Sequence, residues 1–266
     1  MTVGFFDSGV GGISVLEKAA VQLKYNKFLF YADSAHVPYG VKTREEIIDY
    51  VDHAVAFLHE QGAEIVVLAC NTATSAAAEY LRNKYSFPIL GMEPAVKVAS
   101  KTLDANSDKK IIVTATELTL KLKKFEKLVH QLDINESVET CSLQKLVEFA
   151  ENGDFDGPEV KKYLRNRLSS LEKNKISALV LGCTHFTFFK TLINDIMYEL
   201  LGYHVPIIDG NEGTVNYLET LVKKNDFSEE KPLKERIRIF ESDQEVPCEK
   251  YLNLLQRAHI ENAGGY

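Results

Sequence analysis

Two short segments of this 266-residue chain carry one pattern, and the repetition limits the folds open to it. Glu64-Ile-Val-Val-Leu-Ala-Cys-Asn-Thr72 and Ala178-Leu-Val-Leu-Gly-Cys-Thr-His185 each run from an aliphatic stretch through a small residue to a cysteine. Hydroxyl or amide side chains follow in both. Four or five apolar residues bounded by small ones read as a strand buried on both faces, as in a parallel sheet. Asn71-Thr72-Ala-Thr74-Ser75 then leads into an alanine-rich helix, and Thr184-His185 leads into a second helix from Phe186 onward. Each thiol is predicted at a strand-to-helix junction, in equivalent positions of two half-molecules.

The rest of the chain fits that frame. Val3–Asp7 reads as a strand, Asp7–Gly12 as a glycine-rich turn, and Ile13–Leu23 as a helix. Phe28–Ala32 is a second strand, ending in a loop marked by Pro38 and Gly40. Thr43 and Glu46 have the spacing of a capping box for a helix to about Glu60. Past the first cysteine and its helix to Tyr85 come a short strand at Pro88–Gly91 and a helix from Glu93-Pro94-Ala95 to about Thr102. The polar stretch Asp104–Lys109 follows, and then the plan restarts. Lys110–Val113 is a strand, and Thr114–Thr119 takes the place of the Asp7 turn. Asp7 precedes Cys70 by 63 residues and Thr116 precedes Cys183 by 67. Val205–Gly210 reads as strand and turn, Gly213–Lys224 as a helix returning to the first half, Arg236–Phe240 as a strand, and Glu249–His259 as a short helix before a frayed tail. Strands alternating with helices at this rhythm predict an α/β protein of two parallel-sheet units. Ligands of such sheets bind at the carboxyl ends of the strands, where every polar motif falls.

The net charge of −7 argues against a general nucleic-acid binder, because no excess of cations exists to neutralise phosphates. No apolar run reaches the roughly 18 to 20 residues of a membrane helix, and Met1–Asp7 lacks the basic and apolar segments of a signal peptide. The four cysteines, at 70, 141, 183 and 248, show no CxxC spacing, so neither a disulfide framework nor a zinc site is expected and a reducing cytoplasm is. Nothing suggests pyridoxal phosphate or any other cofactor, nor a metal.

The turn Asp7-Ser8-Gly9-Val10-Gly11-Gly12 lacks GxGxxG spacing and the lysine of a phosphate loop. Asp7 at its mouth suits a cation such as a substrate ammonium, and equally suits capping the next helix. A lone buried cysteine is usually a small hydrophobe, and Cys141 and Cys248 are read that way. Cys70 and Cys183 differ, since a helix N-terminus favours a thiolate and neighbouring hydroxyls and amides suit a carboxylate. His185, two residues from Cys183, is placed to exchange a proton with it. Glu151 precedes a turn and, on spacing alone, is a surface residue. Two opposed thiols suit inversion at an amino-acid α-carbon, which needs a base on one face and an acid on the other, exchanging roles in reverse. Backbone N–H groups at the helix starts would hold the α-carboxylate.

At these residues the chain resembles the glutamate racemases of bacterial cell-wall synthesis, within the aspartate/glutamate racemase superfamily. The resemblance rests on Asp7–Gly12, Ala32–Gly40, Ala69–Thr74, Glu93–Ala95 and Leu181–Phe186, five motifs in the family's order over most of residues 3–210. It implies that Cys70 takes the α-proton of D-glutamate and Cys183 that of L-glutamate. Asp7 would assist Cys70, His185 would assist Cys183, and Glu151 would be the acid near the second thiol. Ser8, Pro38, Tyr39, Gly40, Asn71, Thr72, Thr116, Thr119 and Thr184, with Asp7, fall on substrate-holding positions. The implied architecture is two pseudo-symmetric parallel-sheet α/β domains facing each other across a central cleft. Residues 1–95 plus 209–266 would form the first and residues 96–208 the second. A cofactor-independent cytoplasmic enzyme is implied, commonly a homodimer, with no membrane or nucleic-acid partner.

The family usually has other residues at Ala115, Leu122, Phe125, Ser142 and Thr187, departures that touch domain positioning and the dimer surface rather than the reaction. The segment after residue 210 matches poorly. Three alternatives stand beside the racemase: an aspartate racemase of the same superfamily, a cysteine amidase or hydrolase built on Cys183 and His185, and a non-catalytic binding module. The His after the second Cys-Thr favours glutamate over aspartate.

Overall fold

The computed structural model describes residues 1–92, 94–103, 108–172, 175–222 and 231–264. Glu93 of the Glu93–Ala95 motif, residues 104–107 of the polar stretch, the end of the helix predicted to reach Lys224, and the last two residues lie outside that range. Among the described helices none is long and apolar enough to cross a membrane.

The first half runs β1 (Thr2–Asp7), α1 (Ile13–Gln22), β2 (Lys27–Ala32), α2 (Arg44–Glu60), β3 (Ile65–Leu68), α3 (Asn71–Lys84), β4 (Ile89–Gly91) and the short α4 (Val96–Ala99). The second runs β5 (Lys110–Ala115), α5 (Glu117–Lys121), α6 (Lys123–Gln131), β6 (Val138–Ser142), α7 (Lys145–Glu151), α8 (Pro158–Leu168), β7 (Ile176–Leu181), α9 (Lys190–Leu201) and β8 (Ile207–Asp209). Then follow α10 (Asn211–Leu221), α11 (Leu233–Arg236), β9 (Ile237–Glu241), β10 (Gln244–Val246) and α12 (Leu252–Ala263).

Local sequence explains the long elements. The core strands are buried along their length because both sheet faces are covered by helices, as their uniform aliphatic and aromatic composition requires. In α2, Ile47, Val51, Ala54, Val55 and Leu58 fall on one face and are buried. The predicted capping box is present, with Thr43 accepting the Glu46 N–H and Glu46 reaching back to the Thr43 N–H.

The six-stranded sheet has the order β10-β9-β2-β1-β3-β4 and the four-stranded sheet the order β6-β5-β7-β8. β2-β1-β3-β4 and β6-β5-β7-β8 are the same winding, so the repeat seen in the cysteine segments is a repeat of topology. The strands are parallel apart from the β9–β10 pair. The central strand of each half, β1 or β5, pairs directly with its cysteine strand, β3 or β7. Asp7 and Thr116 therefore emerge beside Cys70 and Cys183, all at carboxyl ends of strands.

The C-terminal segment is structural, despite its weak sequence signal. β9 and the unpredicted β10 extend the first sheet, and α12 packs on α1. α12 also braces the other half. Arg257 Nε donates to Phe188 O at 2.8 Å, and Glu261 accepts from the Thr191 N–H and hydroxyl at 2.9 and 2.8 Å.

Candidate active site

Cys70 is the N-cap of α3. Its sulfur accepts the Ala73 N–H at 3.4 Å and lies 3.6 Å from Ser8 Oγ. These contacts favour a thiolate, yet Cys70 is pushed up to about 12. Burial is the largest cause, and the neighbouring Asp7 and Cys183 raise it further. The expected thiolate at this helix start is thus overturned for Cys70: removing sulfur charge from water outweighs two weak donors and a helix terminus. The influence of Cys183 on Cys70 also places both sulfurs in one site.

Cys183 does not mirror Cys70 in detail. A regular helix was expected beyond it, but Thr184–Phe189 form a 3-10 segment, and α9 begins only at Lys190. The run is β-branched and aromatic, and the Thr187 hydroxyl bonds the Thr184 carbonyl at 2.7 Å, competing with α-helical pairing. All six residues are buried, so tertiary packing fixes the tighter coil.

This coil turns His185 back toward its cysteine. His185 Nδ1 is 3.8 Å from Cys183 Sγ, and Nε2 is 2.6 Å from Glu151 Oε1. Burial alone would push the imidazolium down, but the contacts with Cys183 and Glu151 outweigh it and hold His185 well above its ordinary value. Glu151, a surface residue on spacing alone, is instead drawn in at the end of α7, where Oε1 also accepts the Val10 N–H at 2.8 Å.

Asp7 faces the same space from β1. Oδ1 accepts the Gly9 N–H at 3.0 Å, and Oδ2 accepts the Thr184 hydroxyl at 2.9 Å. Asp7 does not cap α1, whose N-cap is Gly12 without a side-chain bond. Burial pushes its carboxyl up to about 6, with His185, Gly9 and Thr184 opposing that rise. The glycines of the turn serve close approach rather than phosphate binding: a Cβ at Gly9 would collide with the Glu151 carboxylate, and one at Gly11 with Thr184 and His185.

Three more of the sequence-predicted residues form a hydroxyl cluster across the halves. Thr72 Oγ1 is 3.1 Å from Thr116 Oγ1 and 2.9 Å from Thr119 Oγ1, and Thr116 donates to Thr119 at 2.9 Å. Thr116 also caps α5. Asn71 donates to Met92 O at 3.4 Å. Tyr39 is buried between Pro38 and Gly40, near enough to Cys70 for the thiol to influence its ionisation. Its hydroxyl donates to Asp33 Oδ2 at 2.5 Å, and burial first, then Asp33, holds it as the neutral phenol. Asp33, 3% exposed, was not singled out as a site residue, although it opens the Pro-Gly loop.

Cys70 and Cys183 are 6% and 8% exposed, so both sulfurs lie in an enclosed site. The ensemble comprises two thiols with unlike partners, a carboxyl beside one and an imidazole–carboxylate pair beside the other, ringed by hydroxyls and N–H groups. Such a set can move protons at opposite faces of a small anionic molecule.

Comparison with known proteins agrees with this chemistry. Residues 14–218 match the family model described as Asp/Glu/Hydantoin racemase. The chain is 42% identical over 261 residues to the glutamate racemase of Lachnospira eligens, covering 97% of each. It is 47% identical over 221 residues to that of Campylobacter curvus, covering 82% of each. A crystal structure of Escherichia coli glutamate racemase with L-glutamate and the activator UDP-MurNAc-Ala superposes with a TM-score of 0.76 at 27% identity, over 97% of this chain and 94% of that one.

Proposed function

As the chain belongs to the Asp/Glu/hydantoin racemase family, we propose that its racemisation of glutamate proceeds without a cofactor, by proton transfer between Cys70 and Cys183. The enzyme is an isomerase, and its D-glutamate supplies peptidoglycan synthesis. In the L-to-D direction the Cys183 thiolate removes the α-proton, and the Cys70 thiol delivers its proton to the opposite face; the reverse direction exchanges the roles. The observation that carries this reading is the pairing of unlike neighbours with two thiols in one site. Burial first, and then the carboxyl of Asp7, raise Cys70 and keep it a proton donor, while the His185 imidazole, backed by Glu151, lies beside Cys183.

The remaining groups suit substrate binding. Asp7 suits the substrate ammonium, whose charge would offset the repulsion that adds to burial in raising Cys70. Ser8, Asn71, Thr72 and Thr184 suit the α-carboxylate, and Pro38, Tyr39, Gly40, Thr116 and Thr119 complete the wall. The domain limits (1–95 with 209–266, and 96–208), a homodimer and a cytoplasmic location belong to the same reading. Light scattering would test the dimer.

The decisive experiment is incubation with L-glutamate in deuterated water without added cofactor. Loss of optical rotation with deuterium appearing at the α-carbon is expected, and Cys70→Ser or Cys183→Ser should each nearly abolish it. A Cys70→Ser protein racemising at the parent rate would end the two-base scheme. Hydrolysis without deuterium uptake would favour the amidase instead.

A further inference from the structure

Gln144 is the N-cap residue of α7 and belongs to the second half. Both atoms of its carboxamide are buried, and neither has a hydrogen-bond partner among the described residues. Such a group is costly in a folded protein, and each instance calls for an explanation, a partner gained on binding being one. Its surroundings say where that partner lies. Gly40, from the first half, packs directly on the amide: a Cβ there would collide with Gln144 Oε1 and lie 2.9 Å from Nε2. Gly40 follows Tyr39, which senses the charge of Cys70. The neighbouring Leu143 donates its N–H to Ala115 O at 3.2 Å, setting Gln144 beside the strand end that carries Thr116.

Helix α7 therefore meets the site at both ends. Glu151 at its C-terminus holds His185, and Gln144 lies at its N-terminus, roughly 10 Å away by the helical rise per residue. The ammonium and α-carboxylate of glutamate are carried on the reacting carbon, which must lie at the thiols. Only the side-chain carboxylate stands off from that carbon on a flexible arm, and a neutral N–H donor suits a carboxylate oxygen.

We propose that the Gln144 carboxamide, poised against Gly40 at the free end of α7, binds the side-chain carboxylate of glutamate and thereby sets side-chain length selectivity. This rests on the racemase reading. Nε2 donates to the carboxylate, while Oε1 faces the main chain at Gly40.

The test is kinetic, with stability as an independent readout. Gln144→Leu should raise KM for L-glutamate by about 10-fold or more, the loss expected for a hydrogen bond to a charged group, and the effect on KM should exceed that on kcat. The Tm of the free enzyme should hold or rise, since an unpartnered buried amide has been removed, while the Tm increase given by glutamate shrinks. Gln144→Glu, of the same shape, should raise KM further, and its KM relative to the parent should fall toward acid pH as the new carboxyl protonates. Repulsion of the substrate raises KM with kcat largely kept, whereas a structural role would lower kcat along with it, and this variant carries the test if Gln144→Leu does not fold. A parent enzyme that racemises glutamate while both variants keep its KM within two-fold overturns the proposal alone. A parent that does not racemise overturns the reading beneath it.

Discussion

The Thr184 hydroxyl donates to Asp7 Oδ2 at 2.9 Å, joining two strand-end residues 177 positions apart, one from each half of the molecule. Through this bond the carboxyl beside Cys70 and the segment that carries Cys183 and His185 share one electrostatic site. A change at one thiol is therefore expected to be felt at the other, and the consequences can be stated residue by residue.

Asp7 is the first. Its buried carboxyl is raised from 3.8 to about 6. Below about pH 4 it is protonated in both the folded and unfolded chain. Between about pH 4 and 6 the unfolded chain loses its proton while the folded chain keeps it, so stability falls as pH rises through this window. Asp7→Asn escapes the loss. It is expected to be more stable than the parent by about 1–3 kcal/mol at pH 7.5, with the difference shrinking at pH 4. Racemisation should fall roughly 100-fold or more, as for loss of an acid/base group. Urea unfolding at the two pH values and a racemase assay check both parts. A variant less stable than the parent at pH 7.5 would mean that Thr184 and His185 more than offset the cost of burial.

Cys70 should be a poor nucleophile toward external reagents in the absence of glutamate. With burial, and then Asp7, pushing its thiol up to about 12, very little of it is thiolate at pH 8. Iodoacetamide should label Cys70 at least 100-fold more slowly than a free thiol of ordinary acidity. Peptide mass spectrometry over a time course gives the rate. Rapid labelling at pH 7 would require a Cys70 already ionised and would reverse the assignment of Cys70 as resting proton donor.

Glu151→Gln keeps an acceptor for the Val10 N–H but removes the charge that supports the His185 imidazolium. The imidazole resonance of His185, followed by NMR, should titrate at lower pH than in the parent. Turnover should drop about 10- to 100-fold, mostly in kcat. A folded-state value raised above 6.5 stabilises the parent fully below the unfolded value and loses that contribution as pH rises through the folded one. The parent's stability advantage over the variant should accordingly be largest in mild acid. An unmoved His185 titration would assign its elevation to Cys183 alone.

Much of this was legible because each half writes its chemistry at strand ends. The aliphatic runs before Cys70 and Cys183 located β3 and β7, and the Thr43–Glu46 box located the start of α2 to the residue. Other features depend on contacts that no local pattern records. The acidity of Cys70 is set first by burial, among side chains from several segments, which a helix-start argument cannot weigh. The 3-10 coil after Cys183 follows from six side chains all finding buried positions. Glu151 looked like a surface acid because its partners, Val10 and His185, come from distant segments. Gln144 was invisible for a related reason: β6 alternates Val138, Glu139, Thr140, Cys141 and Ser142, too polar to read as a strand, and its neighbour β5 supplies the pairing that makes it one.

Gly9 offers the sharpest test of how closely the halves must meet. A Cβ there would run into the Glu151 carboxylate, the same group that holds His185. Gly9 lies outside the left-handed region of backbone space, so alanine introduces no backbone strain and its cost is confined to the contact. Relief requires the Glu151 side chain to withdraw, which breaks its bonds to Val10 and His185 together. Gly9→Ala should therefore lose activity about as Glu151→Gln does, while the Tm of the free protein moves by only a few degrees, because the core beneath each sheet is untouched. The double variant Gly9→Ala/Glu151→Gln should be little worse than either alone, since both act through one carboxylate. Strictly additive losses would place the effect of Gly9 elsewhere in the turn, on Asp7 or Ser8, and would detach Glu151 from the closing of the site.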